Sequence, residues 1–186
     1  MRTLPFLTFS VLAPVLAPVL ALALAACGRH EPAVGSPLAD GAHATAALRT
    51  AGGADAGRAT VTDVAGGIRV TVDARGLPPG THGAHLHTTG RCDAPDFASA
   101  GPHWNPEARQ HGAMNPRGPH TGDMPNIIVG SDGRGTLGVT LPGATVASLL
   151  DADGGALVIH ANPDDLMTDP SGNSGGRIVC GAFAGA

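Results

Sequence analysis

The segment RATVTDVAGGIRVTVD, residues 58–73, decides the fold class. Within it, valine and isoleucine alternate with arginine, threonine and aspartate, and a period of two places the apolar side chains on one face of a β-strand. The residues Ala65-Gly66-Gly67 between the two alternating halves are typical of a hairpin turn. The segment therefore predicts two antiparallel strands joined by a tight turn.

Short strands are also expected on the C-terminal side of this hairpin, over residues 83–88, 126–130, 135–141, 156–161 and 177–183. A single helical turn is expected over residues 162–167. The chain has 28 glycines, 16 prolines and only 3% aromatic residues. Many short strands with frequent turn residues predict an all-β domain, an antiparallel Greek-key β-sandwich or barrel of the immunoglobulin-like kind.

The N-terminus has the composition of a targeting segment. Residues 1–26 form an apolar run, rich in alanine, leucine and valine and interrupted by prolines, as expected of a signal peptide rather than a membrane-spanning helix. The sequence Leu24-Ala25-Ala26-Cys27 resembles the lipobox of bacterial lipoproteins. The resemblance implies cleavage before Cys27 and lipid attachment to its sulfur. An ordinary secretory signal that carries a chance cysteine is the alternative.

The remaining chain divides into a flexible tether over residues 27–43, rich in glycine and proline, and a folded domain over residues 44–186. Cys92 and Cys180 lie in this domain, and two cysteines in an exported domain are expected to pair. The net charge of −4 and the lack of a basic cluster argue against nucleic-acid binding.

Six of the nine histidines lie at organised positions in the domain. His85 and His87 project from one face of a strand, since residues i and i+2 share a face. His103, His111, His120 and Asp123 lie in one irregular loop, and three imidazoles with one carboxylate make a complete tetrahedral zinc set.

The sixth histidine, His160, ends another predicted strand, where nothing in the strand requires a polar residue. Each histidine alone is more often a solvated or hydrogen-bonded side chain, but the group together predicts metal binding. His82 is interpreted as structural.

Two other metal-binding folds do not fit the sequence. A cupin has a glutamate soon after His-x-His, whereas Arg91 and Cys92 stand there. A blue-copper site has a histidine, and usually a methionine, closely after its cysteine. Cys180 is followed instead by Gly181-Ala182-Phe183.

The chain resembles the copper/zinc superoxide dismutase family over about residues 55–186. The matching segments occur in the family's order and are GAHLH (83–87), AGPHWNP (100–106), HG (111–112), HTGD (120–123) and GRIVCG (176–181). The resemblance implies a copper- and zinc-dependent oxidoreductase. Its substrate would be superoxide and its products oxygen and hydrogen peroxide, formed by redox cycling of the copper.

Carried over residue by residue, the resemblance assigns two metal sets that share one residue. The copper ligands would be His85, His87, His103 and His160, and the zinc ligands His103, His111, His120 and Asp123. His103 would then bridge both ions and also take part in proton transfer.

The resemblance also assigns three roles around the metals. Arg177 would bind the substrate anion beside copper, Asp164 would link one copper histidine to one zinc histidine, and Cys92 and Cys180 would form the family disulfide. The loop from His160 to Arg177 resembles the shorter bacterial versions, and it carries three aspartates and no basic residue.

These features predict an enzyme of the bacterial cell envelope, either a monomer or a homodimer, held to a membrane only by the lipid at Cys27 and facing the periplasm. Gly28 stands where an aspartate often marks inner-membrane retention, which favours the outer membrane. Two other interpretations remain open at this stage: an envelope protein that stores or delivers metal on the same scaffold, and a purely structural or adhesive β-sandwich lipoprotein.

Overall fold

The computed structural model of the protein describes residues 41–185. The predicted signal peptide, Cys27 and residues 27–40 of the predicted tether lie outside the described residues. In the part that the structure describes, no helix is long and apolar enough to cross a membrane.

The described backbone is almost entirely β-structure and loop. Its ten strands are β1 (His43–Thr50), β2 (Asp55–Val64), β3 (Gly67–Ala74), β4 (Gly80–His82), β5 (Ala84–His87), β6 (Ile127–Val129), β7 (Gly135–Pro142), β8 (Ala156–His160), β9 (Arg177–Ala182) and β10 (Ala184–Gly185). A 3-10 helix (Ala98–Ala100) and one short α-helix, α1 (Val146–Leu149), complete the set.

The strands form one antiparallel sheet in the order β4-β6-β7-β3-β2-β1-β9-β8-β5, with β10 paired to β1. The two strands at the ends of this order, β4 and β5, are consecutive in the chain and are separated only by Gly83. The sheet therefore curls into a nearly closed barrel. A side chain at position 83 would meet the Cβ of Ser174 at 2.9 Å, which explains the glycine at this crossing. The predicted all-β fold class is confirmed.

The barrel interior holds the main hydrophobic core. Strands β1 and β3 turn every second side chain inward, and Leu48, Ile68 and Val70 are fully buried. Burying one such side chain contributes about 1.5–3 kcal/mol. A second, smaller cluster lies outside this core and comprises Phe97, Ala100, Ala156, Val158 and Cys180, with Cys92 packed against it.

The hairpin that decides the fold class lies where the sequence predicts it. Strands β2 and β3 pair in register, with Val61 opposite Val70, and turn at Ala65-Gly66. Strands β1, β4 and β10 were not predicted. In β1 the inward positions include Ala44 and Ala46, whose small side chains give a weak hydrophobic pattern.

The helical turn expected over residues 162–167 is wrong. The carboxylate of Asp164 accepts a hydrogen bond from the backbone N–H of Leu166 at 2.6 Å, and that of Asp165 accepts one from Thr168 at 2.8 Å. These side chains take the N–H groups that a helix would use. Leu166 also has φ of 60°, a left-handed conformation that does not continue a right-handed helix.

The predicted pairing of Cys92 with Cys180 is confirmed, with 5.6 Å between the two Cα atoms. The bond joins positions 88 residues apart and ties the first long loop, residues 88–126, to strand β9. A cross-link over such a long segment restricts the unfolded chain by about 4–5 kcal/mol in the chain-entropy description. In the folded protein it holds the loop against the smaller cluster.

Candidate metal centre

Two neighbouring strands position three of the predicted ligands. His85 and His87 lie on β5 and are fully buried, while Leu86 between them packs in the main core. Strand β5 pairs with β8, which ends at His160, and His160 in turn pairs with Arg177 on β9. The sheet therefore places three imidazoles and one guanidinium at one end of a rigid surface.

The first long loop returns to β5 and brings the remaining residues with it. The backbone N–H of Leu86 donates to Gly122 at 2.9 Å, and the N–H of Trp104 donates to the carbonyl of Leu86 at 2.8 Å. These bonds place His103 opposite His87 and Asp123 opposite His85. The irregular loop is thus fixed by backbone pairing to the strand that carries the first two histidines.

Four histidines form a buried group whose ligand atoms all lie within 4.8 Å of one another. In each ring one nitrogen is buried without a hydrogen-bond partner. These nitrogens are Nδ1 of His85, Nε2 of His87, Nε2 of His103 and Nε2 of His160. A buried polar atom without a partner is destabilising, so four together require an explanation.

The hydrogen bond made by the other nitrogen of a ring shows whether the free nitrogen carries a proton or a lone pair. Nδ1 of His87 lies 2.8 Å from the carbonyl of Gly101, and Nδ1 of His160 lies 3.1 Å from the carbonyl of Gly175. A carbonyl only accepts, so each Nδ1 is the donor, and in a neutral ring the other nitrogen then carries a lone pair. Converging imidazole lone pairs suit a transition-metal ion such as copper or zinc.

A second set of four atoms meets around Asp123. Its Oδ1 lies 3.0 Å from Nδ1 of His103, 3.0 Å from Nδ1 of His111 and 3.3 Å from Nδ1 of His120. The Nδ1 atoms of His103 and His120 are 3.5 Å apart. A tetrahedral zinc ion bound at about 2.0–2.1 Å keeps its ligand atoms roughly 3.3–3.4 Å apart. These four separations lie within about 0.4 Å of those expected around a zinc ion.

Distance alone would favour a set in which His85 replaces His120, since His85, His103, His111 and Asp123 offer atoms within 4.8 Å of one another. The hydrogen bonds separate the two possibilities. The free nitrogen of His85 is one of the four that converge in the first set. His120 directs its Nδ1 toward the carboxylate of Asp123, so it completes the second set.

Asp164 lies between the two sets, as the resemblance implies. Its Oδ2 is 2.7 Å from Nε2 of His85, and its Oδ1 is 3.0 Å from Nε2 of His111. Asn126 fixes the backbone of Asp164 on both sides, because its side chain donates to the Asp164 carbonyl and accepts from the Asp164 N–H. A carboxylate in this position sets the orientation and tautomer of both rings.

Burial keeps three histidines neutral. It lowers the pKa of His87 to about 2, that of His160 to about 3 and that of His103 to about 4, from an ordinary value of 6.5. The rings are therefore uncharged at neutral pH. Neutral imidazole is the form that binds a metal cation, so these nitrogens need not release a proton first.

In the second set, two carboxylates favour the protonated form of a histidine. Burial opposes charge on His111, but the hydrogen bonds to Asp123 and Asp164 outweigh it and raise the pKa of His111 to about 9. Burial likewise opposes charge on both carboxyl groups, and their hydrogen bonds to histidine hold the pKa of each well below its ordinary value. In the metal-free protein, two buried negative charges thus retain one proton on His111, in the place where a cation would bind.

Arg177 is held against the same centre by two backbone carbonyls. Its Nη1 donates to Phe97 at 2.7 Å and its Nη2 donates to Gly101 at 2.7 Å. The carbonyl of Gly101 also accepts from His87, so one oxygen positions both a predicted copper ligand and the arginine. Burial lowers the pKa of Arg177, but a guanidinium remains charged at any physiological pH.

Sequence reasoning missed the groups that hold these residues. Phe97 adopts a left-handed conformation with φ of 55°, and its carbonyl and that of Gly101 orient Arg177. Asn126 supports Asp164. A backbone carbonyl carries no sequence signature, and a lone asparagine 38 residues before its partner has none either. His82 lies 2.9 Å from the carbonyls of His160 and Pro78, a position that agrees with its structural interpretation.

Comparison with known proteins gives one consistent result. A family model described as copper/zinc superoxide dismutase (SODC) matches residues 55–183. A Cu-Zn superoxide dismutase of Caulobacter vibrioides is 42% identical over 147 residues, which cover 75% of this chain and 84% of that protein. A Cu-Zn superoxide dismutase of Aquifex aeolicus is 44% identical over 131 residues, covering 67% and 78%.

Solved structures agree with these relatives. A SOD-like protein from Bacillus subtilis superposes with a TM-score of 0.72 at 38% identity, over 75% of this chain and 97% of that one. The Cu/Zn superoxide dismutase from Brucella abortus superposes with a TM-score of 0.63 at 25% identity, over 76% and 99%.

The buried histidines make the metal-free protein sensitive to acid. The unfolded chain binds protons on His87, His103 and His160 near pH 6.5, whereas the folded chain does not until about pH 4 or below. The free energy of unfolding therefore decreases as the pH falls through this window, because the unfolded state binds as many as about three more protons than the folded state. Urea unfolding at pH 7, 6, 5 and 4 measures this slope.

A matched variant separates the contribution of these rings to the pH dependence of stability from that of the other titrating groups. In His160→Gln one of the three suppressed titrations is gone, so the slope of unfolding free energy against pH should fall by about a third. An unchanged slope in this variant, or a flat profile in the wild type, would contradict the assignment of neutral buried imidazoles.

Proposed function

The chain belongs to the copper/zinc superoxide dismutase family, an oxidoreductase class that uses copper and zinc, and we propose that His103 joins its two metal sets into one catalytic centre. One observation carries this proposal. Four buried imidazole nitrogens without hydrogen-bond partners converge on one point, and one of those rings also directs its other nitrogen at Asp123. The four nitrogens make no hydrogen bond that would stabilise the fold, so a purely structural role does not explain their arrangement.

The donor atoms support one assignment of the two metals. The all-histidine set of His85, His87, His103 and His160 suits copper, since imidazole is a favoured ligand of copper. The set of three histidines and Asp123 suits zinc, because it offers a complete tetrahedron with no open position, as structural zinc sites do. His103 belongs to both sets through Nε2 and Nδ1, so it would bind as an imidazolate when both ions are present.

The reaction converts two superoxide anions and two protons into one molecule of oxygen and one of hydrogen peroxide. Copper, when bound, supplies the one-electron exchange that no side chain of the protein provides. The chain itself supplies anion binding and proton delivery. Arg177, fixed by Phe97 and Gly101, offers a permanent positive charge beside the all-histidine set.

Proton delivery is assigned to Nε2 of His103. This atom is buried, has no partner among the described residues and points toward the all-histidine set. In the structure the proton of the neutral His103 ring lies on Nδ1, facing Asp123, and Nε2 carries the lone pair. If zinc occupied the second set through Nδ1, the proton of the neutral ring would lie on Nε2, and it would be donated from there to the reduced substrate. The opposite side of the ring is held at Nδ1 by Asp123, so the proton would be exchanged at Nε2 alone.

Arg177 is the basic residue held directly beside the all-histidine set. The second long loop, residues 161–176, contains no basic residue, and its carboxylate Asp164 is fully buried against histidines. In the first loop, Arg109 is paired with Glu107 at 2.6 Å. Arg177 is therefore the positive group placed to draw an anion to the metals.

The location of the enzyme follows from the N-terminal sequence alone. We propose that the signal peptide is removed, that Cys27 carries lipid and that the domain protects the cell envelope from superoxide on the periplasmic side. Membrane fractionation tests this placement: Cys27→Ser should move the protein from the membrane fraction to the soluble periplasmic fraction, whereas Cys27→Ser that stays with the membrane would contradict the lipid anchor.

Bound metal and superoxide consumption, measured together on the full chain, test the catalytic proposal. We expect about one copper and one zinc per chain, with activity lost on copper removal and restored by copper. His160→Ala should abolish dismutation while zinc remains bound, because His160 belongs only to the all-histidine set. A fully loaded wild type without dismutase activity would instead assign the protein to metal storage or delivery.

Substitution of Arg177 tests the anion-binding role. Arg177→Ala should lower the rate of superoxide consumption by about tenfold or more and weaken its dependence on ionic strength, since electrostatic attraction raises association rates by roughly 10- to 1000-fold. Both metals should stay bound. Arg134→Ala removes the same charge from the exposed β6–β7 turn and should change the rate little. Equal losses in the two variants would contradict a specific role for Arg177.

A further inference from the structure

One carboxylate of the second loop reaches two residues of the zinc set, and the family resemblance does not account for it. Oδ1 of Asp169 accepts a hydrogen bond from the backbone N–H of His111 at 2.6 Å. The same atom lies 3.6 Å from Nε2 of His120. Asp169 thus joins the second loop to two separate positions of the first loop at a single oxygen.

The protonation of His120 explains why a carboxylate is useful there. Its Nδ1 faces Asp123 and is the nitrogen available to zinc. A neutral ring that binds a metal through Nδ1 must carry its proton on Nε2. Asp169 lies 3.6 Å from this nitrogen, and its negative charge favours this tautomer and makes the ring a stronger ligand.

In the other two imidazoles of the set, Nε2 has a different environment. Nε2 of His111 lies against Asp164 at 3.0 Å. Nε2 of His103 faces the all-histidine set. His120 would otherwise rely on solvent at the edge of a groove that His103, His120 and Asp169 line together.

We propose that Asp169 is a positioning residue for the zinc set, holding the backbone of His111 and the ring of His120. The inference rests on the proposed assignment of zinc to this set. Asp164 touches a ring of each set, whereas the contacts of Asp169 are confined to the zinc side. Its loss should therefore weaken zinc binding and leave the copper set unaltered.

A nearby carboxylate provides a matched control. Asp165 lies in the same loop and is also exposed, but its oxygens accept hydrogen bonds only from within that loop, from Met167, Thr168 and Asn173. Substitution of Asp165 disturbs the loop without touching a histidine. It therefore separates a direct effect on the zinc set from a general loosening of the loop.

The experiment uses the full chain loaded with zinc alone, and measures zinc affinity by competition with a chromophoric chelator. Asp169→Ala should bind zinc about 10- to 100-fold more weakly than the wild type, the usual range for such a substitution. Asp169→Asn should fall between them, because its amide oxygen still accepts from His111 while the charge facing His120 is gone. Asp165→Asn should stay within about twofold of the wild type.

A second readout reports ligand geometry rather than stability. With cobalt(II) in place of zinc, the visible spectrum of Asp169→Ala should shift, while copper affinity at the all-histidine set stays at the wild-type value. An Asp169→Ala protein with wild-type zinc affinity and spectrum would overturn the inference, as would an equal loss in Asp165→Asn. A wild type that binds no zinc at all would overturn the proposed function, and this inference with it.

Discussion

The packing of imidazole rings at one end of the barrel constrains everything around them. Four ring nitrogens carry lone pairs in a buried space that offers them no donor, and hydrogen bonds to carbonyls and to Asp164 fix which nitrogen is left free. A hydrogen-bond donor on each lone pair would have been the ordinary solution. The protein instead holds each ring by a hydrogen bond at its other nitrogen and leaves these four nitrogens without a partner, a state that bound metal ions would complete.

Both long loops depend on this centre for their structure, since neither has an extensive core of its own. The first loop is held by backbone pairing with β5, by the disulfide to β9 and by Asp123, which accepts from two backbone N–H groups as well as from histidines. The second loop is held through Asp164 and Asp169. Contacts to the centre therefore order the loops, and the ordered loops in turn close the centre against solvent.

The sequence was sufficient for the strands that alternate clearly and for the choice of residues that lie together at one end of the barrel. The hairpin of β2 and β3 follows directly from its period of two, and the structure brings the predicted ligand residues together, His120 through its contacts with Asp123 and His103. Strand β1 was missed because alanine fills two of its three inward positions. The helical turn over 162–167 failed because aspartate side chains capture the backbone there. The anchors of Arg177 are carbonyl oxygens, which any residue type supplies, so only the fold reveals them.

The central claim is that one ring, His103, belongs to both metal sets, and electron paramagnetic resonance tests it most directly. With copper(II) in the all-histidine set and cobalt(II) in the zinc set, a shared imidazolate couples the two unpaired-electron systems. The account predicts that the copper signal, strong in the copper-only protein, is lost when cobalt is added. A copper signal that is unchanged with both sets filled would show that the two ions do not share His103, and would contradict the account.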